Sequence, residues 1–251
     1  MFSKTLNFTL GLIGMRLIRV SRHDQNTPPI LFASMPKSAG TSISETVSKL
    51  SGMPRKNMVL GHGAHQFCPI ALERYARTGV VSQAHISATP FTENMIDKYN
   101  MKVVVISRDI ASSLVSLADH FDDVATRDPR LKMSSIWHQP ENYFSLAREE
   151  KLNAVVHMNI DFVCRFIDSW RRSRVKTFNV TYEEFLADKS QTIFNIMRHC
   201  ELETPPLEII DNLFLSGITS RRMNVGIMDR AKELPDESRT LIEEFKEAYS
   251  I

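Results

Sequence analysis

Short apolar runs alternate with amphipathic segments along most of the chain. The runs "PILFAS" (29–34), "GVVSQA" (79–84) and "KVVVIS" (102–107) predict strands in the interior of the protein. The run "VKTFNV" (175–180) has the pattern of a further strand. We therefore expect four strands, the first three of them buried.

The segments between these runs have helical periodicity. Ile43, Val47 and Leu50 recur at i, i+4 and i+7, which is one face of a helix that follows the first strand. Similar patterns predict helices at residues 114–118, 158–170, 193–197 and 236–249, the last with Asp236 as its cap. Strands that alternate with helices favour an α/β fold, in which helices cover both faces of a mostly parallel sheet.

The domain boundaries follow from changes in this pattern. Residues 22–30 are polar and then proline-marked, which predicts a linker between an N-terminal segment, 1–28, and one domain, 29–251. Within residues 1–20, the apolar run 6–15 is only ten residues long and is interrupted by Asn7 and Thr9, which is too short to span a membrane; the segment predicts a packed helix or strand, with a membrane-surface anchor as the alternative. Residues 119–159 are the least patterned and predict an insertion facing the substrate.

Composition narrows the class of protein. The 251 residues are 43% hydrophobic and 24% charged, as expected of a globular protein, and the net charge of +2 gives no sign of a nucleic-acid partner. The three cysteines are far apart and lack metal-ligand spacing, which predicts a reducing, cytoplasmic environment and no metal site. The composition leaves the oligomeric state open.

The loop "PKSAGTS" after the first strand carries candidate chemistry. Small residues at a strand-to-helix turn let backbone N–H groups converge on an anion, and Lys37 adds a positive charge. A helix capped by Ser42 and Glu45, with no ligand, is the alternative. The nucleotide P-loop GxxxxGK[ST] does not fit, because Met35 and Thr41 stand where it needs glycine and lysine.

With its lysine before the glycine, "PKSAGTS" resembles the 5′-phosphosulfate loop of sulfotransferases that use 3′-phosphoadenosine 5′-phosphosulfate (PAPS), in particular the carbohydrate and bacterial branches. The resemblance implies the sulfotransferase fold, a three-layer, P-loop-like nucleotide-binding sandwich. It also implies a loop that binds the donor through Lys37, Ser38, Ala39, Gly40, Thr41 and Ser42.

A second family motif lies after the third strand. Arg108 follows this strand directly and Ser116 stands eight residues later, as in the pair that grips the 3′-phosphate of PAPS in that family. A guanidinium makes two parallel charge-assisted bonds to a phosphate, and a serine hydroxyl adds a third. The alternative is an ordinary surface ion pair between Arg108 and Asp109 or another carboxylate.

His85 is the candidate general base. It ends the second predicted strand and precedes the arginine by 23 residues, a placement similar to that of the base in cytosolic sulfotransferases. A neutral imidazole suits removal of a proton from an acceptor. His62, His65 and His120 are the other candidate histidines, and Glu93 is an alternative because some branches use a glutamate.

The C-terminal half adds weaker resemblances. "VTYEEF" is similar to the family's segment near the adenine, which implies roles for Thr181 and Tyr182. "SRRMNVG" is similar to a late motif that contacts the 3′-phosphate, which implies Arg221 and Arg222, although Met223 replaces a glycine there. Five basic residues between 165 and 176 predict a solvated helix end, with an anionic acceptor surface as the alternative.

The resemblance as a whole implies a metal-independent sulfotransferase that carries sulfate from PAPS to a hydroxyl or amine of a small-molecule, carbohydrate or lipid acceptor. Lys37 would stabilise the leaving 3′-phosphoadenosine 5′-phosphate (PAP), and His85 would deprotonate the acceptor. The alternatives are a nucleotide-dependent phosphotransferase and a non-catalytic nucleotide-binding module.

Overall fold

The computed structural model describes residues 27–59, 65–127, 140–216 and 229–251. Four parallel strands form one sheet in the order β2-β1-β3-β4. They are β1 (Ile30–Ser34), β2 (Val81–Ala84), β3 (Lys102–Ser107) and β4 (Thr177–Thr181). All four strands predicted from the apolar runs are therefore confirmed, with shifts of one or two residues at their ends.

Helices connect these strands. In the described ranges they are α1 (Gly40–Ser51), α2 (Pro69–Tyr75), α3 (Pro90–Lys98), α4 (Ile110–Arg127), α5 (Arg148–Arg171), α6 (Tyr182–Ala187), α7 (Lys189–His199), α8 (Leu207–Leu215) and α9 (Asp236–Tyr249), with 3₁₀ turns at Tyr143–Ser145 and Ala231–Glu233. Pro235 occupies the N-cap position of α9, so Asp236 lies in the first turn rather than at the predicted cap.

Side chains that alternate along the strands build a core on each face of the sheet. Phe32 packs in the cluster that contains Ile43 of α1 and Ile193 of α7. Leu31 points to the other side, into the cluster that contains Leu114 of α4 and Phe166 of α5. All six are almost completely buried. The sheet thus lies between two helical layers, as the predicted α/β three-layer fold requires.

The stretch 119–159 is more regular than its pattern predicts. Helix α4 continues to Arg127 and α5 begins at Arg148, so both ends of the stretch are helical, and its role as an insertion facing the substrate stays a prediction. The polar side chains that obscure the periodicity hold the two helices together: Arg148 pairs with Asp119 at 2.6 Å, and Lys151 pairs with Asp122 at 2.9 Å.

The remaining predictions about the chain as a whole have separate outcomes. Cys68, Cys164 and Cys200 are all free thiols. No helix in the described ranges is long and apolar enough to cross a lipid bilayer. Residues 1–26 of the N-terminal segment are outside the described part of the chain, so the prediction of a packed element or a membrane-surface anchor there stays untested.

The strand register brings the candidate residues to one edge of the sheet. Ala33 pairs with Ala84 of β2 on one side and with Val105 of β3 on the other. The carboxyl ends of these parallel strands therefore meet, and ligands of open α/β sheets bind at this edge. The loop after β1, His85 after β2 and Arg108 after β3 all lie at this carboxyl edge of the sheet.

Candidate nucleotide-binding site

The loop between β1 and α1 has an unusual backbone. Lys37 has φ 58° and Ala39 has φ 65°, so two non-glycine residues separated by one position adopt the left-handed conformation. Such residues are uncommon and need support from their surroundings. Left-handed residues within a tight turn bring successive N–H groups together in an anion-binding concavity. The loop therefore has the backbone geometry that the sequence resemblance implies.

Helix α1 begins without the cap that the alternative interpretation requires. Ala39 is its N-cap residue and provides no side-chain hydrogen bond. Ser42 lies inside the first turn, and the Glu45 carboxylate is bound to Arg55 at 2.6 Å. The capping box formed by Ser42 and Glu45 is therefore wrong. The first N–H groups of α1 lack a side-chain acceptor at the N-cap, which is the arrangement found at anion sites on helix N-termini.

Side chains of the protein hold three successive carbonyl groups of the loop. The Ser38 hydroxyl donates to Met35 O at 2.7 Å, the Ser113 hydroxyl donates to Pro36 O at 2.6 Å, and Arg108 Nη1 donates to Lys37 O at 2.9 Å. The oxygen atoms that would repel an anion are thus bound by the protein itself. This leaves the N–H groups as the part of the loop suited to an anion.

Gly40 is required by a close contact with β1. A Cβ atom added to Gly40 would lie 2.5 Å from both Cβ and Oγ of Ser34. The Ser34 hydroxyl also accepts a hydrogen bond of 2.7 Å from the Gln83 side-chain amide. The start of α1 therefore packs directly on the ends of β1 and β2, and only glycine fits at this position.

Arg108 lies beneath the loop rather than on the surface. Only 7% of Arg108 is exposed, and its guanidinium carbon lies 4.1 Å from the centroid of the Tyr182 ring, in cation–π contact. Burial of the guanidinium lowers the pKa of Arg108. Asp109 is exposed and accepts a hydrogen bond of 2.7 Å from the Ser112 N–H, so its carboxylate caps α4. This arrangement differs from the simple surface ion pair considered as the alternative.

Ser116 and Tyr182 are both buried, and Tyr182 is in contact with Arg108. Ser116 lies in the second turn of α4 and is 1% exposed. Tyr182 is 5% exposed, and its ring faces the Arg108 guanidinium. The Thr181 hydroxyl accepts from the Glu184 N–H at 3.1 Å and so caps α6. Thr181 therefore has a structural role as a helix cap, whereas Tyr182 contacts Arg108, the side chain that is the candidate for binding a phosphate.

His85 is held in one tautomer by β1. Its Nδ1 lies 2.7 Å from the carbonyl oxygen of Ser34. A carbonyl only accepts hydrogen bonds, so Nδ1 carries the proton, and Nε2 of the neutral ring is the nitrogen able to take one up. His85 is half-buried at the strand edge. The contact with Ser34 O thus fixes the orientation of the ring.

The other candidate bases have different surroundings. The Glu93 carboxylate accepts from the Ser173 hydroxyl at 2.7 Å and pairs with Arg174 at 3.2 Å, so it fixes the segment after α5. His65 packs its ring against Phe162 with a centroid distance of 4.6 Å. His120 is half-buried on α4. His62 lies outside the described residues.

Two further sequence predictions concern basic residues. Arg221 and Arg222 lie outside the described residues, so their role at the 3′-phosphate stays a prediction. The cluster between 165 and 176 is an ion-paired helix end: Arg165 binds Asp161, Arg171 and Arg172 bind Asp168, and Arg174 binds Glu93 and Asp97. These partners favour the solvated helix end over an anionic acceptor surface.

Sequence reasoning missed the residues that support the site. Ser34, Gln83 and Ser113 act through contacts between segments 49 to 77 residues apart. The indole N–H of Trp170 also donates to Ile86 O at 2.8 Å, next to His85. No periodicity or motif marks these residues, because each contact exists only after the sheet has formed.

Comparison with known proteins supports the fold. By sequence, the chain matches no protein-family model and no curated protein. By structure, it is similar to mouse sulfotransferase SULT7A1 complexed with PAP, with a TM-score of 0.61, 13% identity, and coverage of 89% of this chain and 85% of that one.

Retinol dehydratase is a second structural neighbour. Its complex with retinol and PAP has a TM-score of 0.55 and 12% identity, covering 90% of this chain and 83% of that one. Its complex with androsterone and the inactive cofactor PAP has a TM-score of 0.54 and 13% identity, with coverage of 90% and 82%. The sulfotransferase fold inferred from "PKSAGTS" is therefore confirmed.

Proposed function

We propose that the protein transfers a sulfuryl group from PAPS to a hydroxyl or amine of a small-molecule acceptor. The observation that carries the proposal is the contact between Arg108 Nη1 and Lys37 O at 2.9 Å. This contact joins the two cationic loops at one edge of the sheet. A single PAPS molecule requires this proximity, because its 5′-phosphosulfate and its 3′-phosphate are attached to the same ribose. Two loops on opposite faces could not serve a single donor.

The chain's own groups fit the charge of the donor. The N–H groups at the start of α1 and the Lys37 ammonium would hold the 5′-phosphosulfate, together with Ser38, Ala39, Gly40, Thr41 and Ser42. The Ser38 hydroxyl already donates to Met35 O, so its backbone N–H is the group assigned to the anion. Arg108 and Ser116 would hold the 3′-phosphate, with Tyr182 supporting Arg108.

The reaction is an in-line displacement at sulfur. The acceptor oxygen or nitrogen forms a bond to sulfur as the bond between sulfur and the 5′-phosphate oxygen breaks, and PAP leaves with the electron pair of that bond. The Lys37 ammonium stabilises the charge that develops on the leaving oxygen. His85 Nε2 takes the acceptor proton, while its Nδ1–H stays bound to Ser34 O.

Small-molecule alcohols are the acceptor class favoured by the structural neighbours. The retinol dehydratase complexes contain retinol and androsterone, which are apolar molecules with a hydroxyl group. Carbohydrate and lipid acceptors are outcomes that an acceptor panel would separate from this class. Metal independence, a cytoplasmic location and contact of residues 1–20 with a membrane surface stay predictions.

Calorimetry separates this proposal from the phosphotransferase alternative. We expect the protein to bind PAP more tightly than ATP with magnesium, because Arg108 is assigned to the 3′-phosphate, which ATP lacks. Tighter binding of ATP with magnesium would overturn the proposal in favour of a phosphotransferase.

Transfer of radiolabelled sulfate from PAPS to a panel of alcohols, sugars and amines tests catalysis. We expect His85→Ala to lower the rate about 10²–10⁴-fold and Lys37→Ala about 10²–10³-fold. The matched control is His157→Ala, since His157 is an exposed histidine on α5 that faces Glu237 at 3.6 Å. PAP binding without transfer to any acceptor would instead favour the non-catalytic module.

A further inference from the structure

We infer that Arg108 is also a positioning residue for the 5′-phosphosulfate loop, in addition to its assigned role at the 3′-phosphate. The inference rests on the proposed function, and it concerns how the two ends of the nucleotide site are coupled. Through its hydrogen bond to Lys37 O, the guanidinium holds the loop in the conformation that binds the other phosphate. One side chain thereby links recognition at both ends of the donor.

The position of the contacted carbonyl is the first reason. Lys37 lies in the loop between Pro36 and Ala39, the N-cap residue of α1, and its φ of 58° is in the left-handed region. A lysine rarely adopts this conformation, so the surrounding contacts must favour it. The hydrogen bond of 2.9 Å from Arg108 reaches this same residue. It fixes the peptide that precedes Ser38 and thus the direction of the following N–H group.

The rigidity of the arginine is the second reason. Arg108 is 93% buried, and the Tyr182 ring supports its guanidinium at 4.1 Å. A side chain held in this way loses little freedom when it forms the bond to Lys37. The planar guanidinium has five N–H donors, and the bond to Lys37 O uses one of those on Nη1. The same group can therefore hold the loop and bind the nucleotide at once.

Two serines offer a competing explanation for the loop conformation. Ser38 and Ser113 hold Met35 O and Pro36 O, respectively. If these two bonds were sufficient, removal of Arg108 would affect only the 3′-phosphate. A ligand that lacks this phosphate separates the two cases, and adenosine 5′-phosphate differs from PAP by this one group.

The experiment compares PAP and adenosine 5′-phosphate by calorimetry on wild type, Arg108→Ala and Ser116→Ala. We expect Arg108→Ala to weaken PAP binding by roughly 100-fold and adenosine 5′-phosphate binding by roughly tenfold, because it removes a charge-assisted bond that supports the loop. Ser116→Ala is the matched control at the 3′-phosphate, and we expect it to weaken PAP binding alone. An Arg108→Ala protein that binds adenosine 5′-phosphate within twofold of wild type would overturn the inference.

Hydrogen exchange of the ligand-free protein gives a readout that does not depend on the nucleotide. We expect the amides of residues 37–42 to exchange at least tenfold faster in Arg108→Ala and at the wild-type rate in Ser116→Ala. Arg108→Lys keeps a cation at this position if the alanine variant fails to fold, and we expect faster exchange there also. Unchanged exchange in the loop would overturn the inference.

The two proposals can fail separately. Faster loop exchange in the arginine variants supports the positioning role even where wild type binds no PAP, a result that would overturn only the proposed function. Tight PAP binding by wild type, with unaltered loop exchange in Arg108→Lys, overturns only the positioning role.

Discussion

Replacement of Gly40 by alanine tests whether the packing of α1 on β1 holds the anion loop in place. The new Cβ would lie 2.5 Å from Cβ and Oγ of Ser34, whereas non-bonded carbon atoms prefer about 3.5–4.0 Å. Ser34 is completely buried in β1, which pairs with strands on both sides, so it cannot retreat. The helix must therefore move by about 1 Å.

The expected cost follows from two opposing terms. Overpacking of a tight contact costs about 1–3 kcal/mol, while alanine is favoured over glycine within a helix by up to about 1 kcal/mol. The net loss of about 1–2 kcal/mol corresponds to a melting temperature that is lower by roughly 2–8 °C for a domain of this size. We expect PAP affinity to fall at least about tenfold as well, because the N–H groups of α1 move away from the phosphate.

Scanning calorimetry and PAP titration measure the two effects, and the same helix provides a control. Gly52 ends α1 with φ 70°, so Gly52→Ala should cost about 1 kcal/mol through backbone strain but leave PAP binding unchanged. Adding Ser34→Gly to Gly40→Ala removes the atoms that clash and should restore much of the PAP affinity. A Gly40→Ala protein that melts within 1 °C of wild type and binds PAP equally well would refute this reasoning.

Two other substitutions test separate parts of the site. Tyr182→Phe keeps an aromatic ring against Arg108, so PAP affinity should stay within about threefold of wild type, whereas Tyr182→Leu should lower it by roughly 3–30-fold through loss of the cation–π contact; equal losses in calorimetric titrations of both variants would contradict this role. Glu93→Gln removes the ion pair with Arg174, and the rate of sulfate transfer should stay within twofold of wild type. A hundredfold lower rate would instead identify Glu93 as the base in place of His85.

The sequence was sufficient to predict the fold because buried strands and helices have recognisable patterns of apolar residues along the chain. The two central strands, β1 and β3, are nearly continuous apolar runs because helices cover both faces of the sheet, and the helices carry an apolar stripe. The hydrophobic pattern did not reveal the helical ends of the stretch 119–159, where ion pairs connect α4 and α5. Around Asp119 and Arg148 charged side chains that form ion pairs are frequent, and they make the helical periodicity harder to recognise in the sequence.

The sequence placed candidate chemistry at three strand ends but left the capping of α1 undecided. Ser42 and Glu45 have the spacing of a capping box, and spacing alone cannot say where a helix begins. The structure starts α1 at Gly40, after two left-handed residues, so Ser42 lies inside the helix. The helix start is decided by the contact between Gly40 and Ser34, which are on different elements.

The sequence by itself determined the succession of strands and helices along the chain, the candidate anion loop, and the positions of His85 and Arg108 directly after their strands, because each depends on residues that are neighbours along the chain. Only the tertiary structure decided that Arg108 holds Lys37, that Ser34 sets the tautomer of His85, and that Ser113 binds the loop. These are contacts between segments 51 to 77 residues apart, and their geometry exists only once the parallel strands are in register.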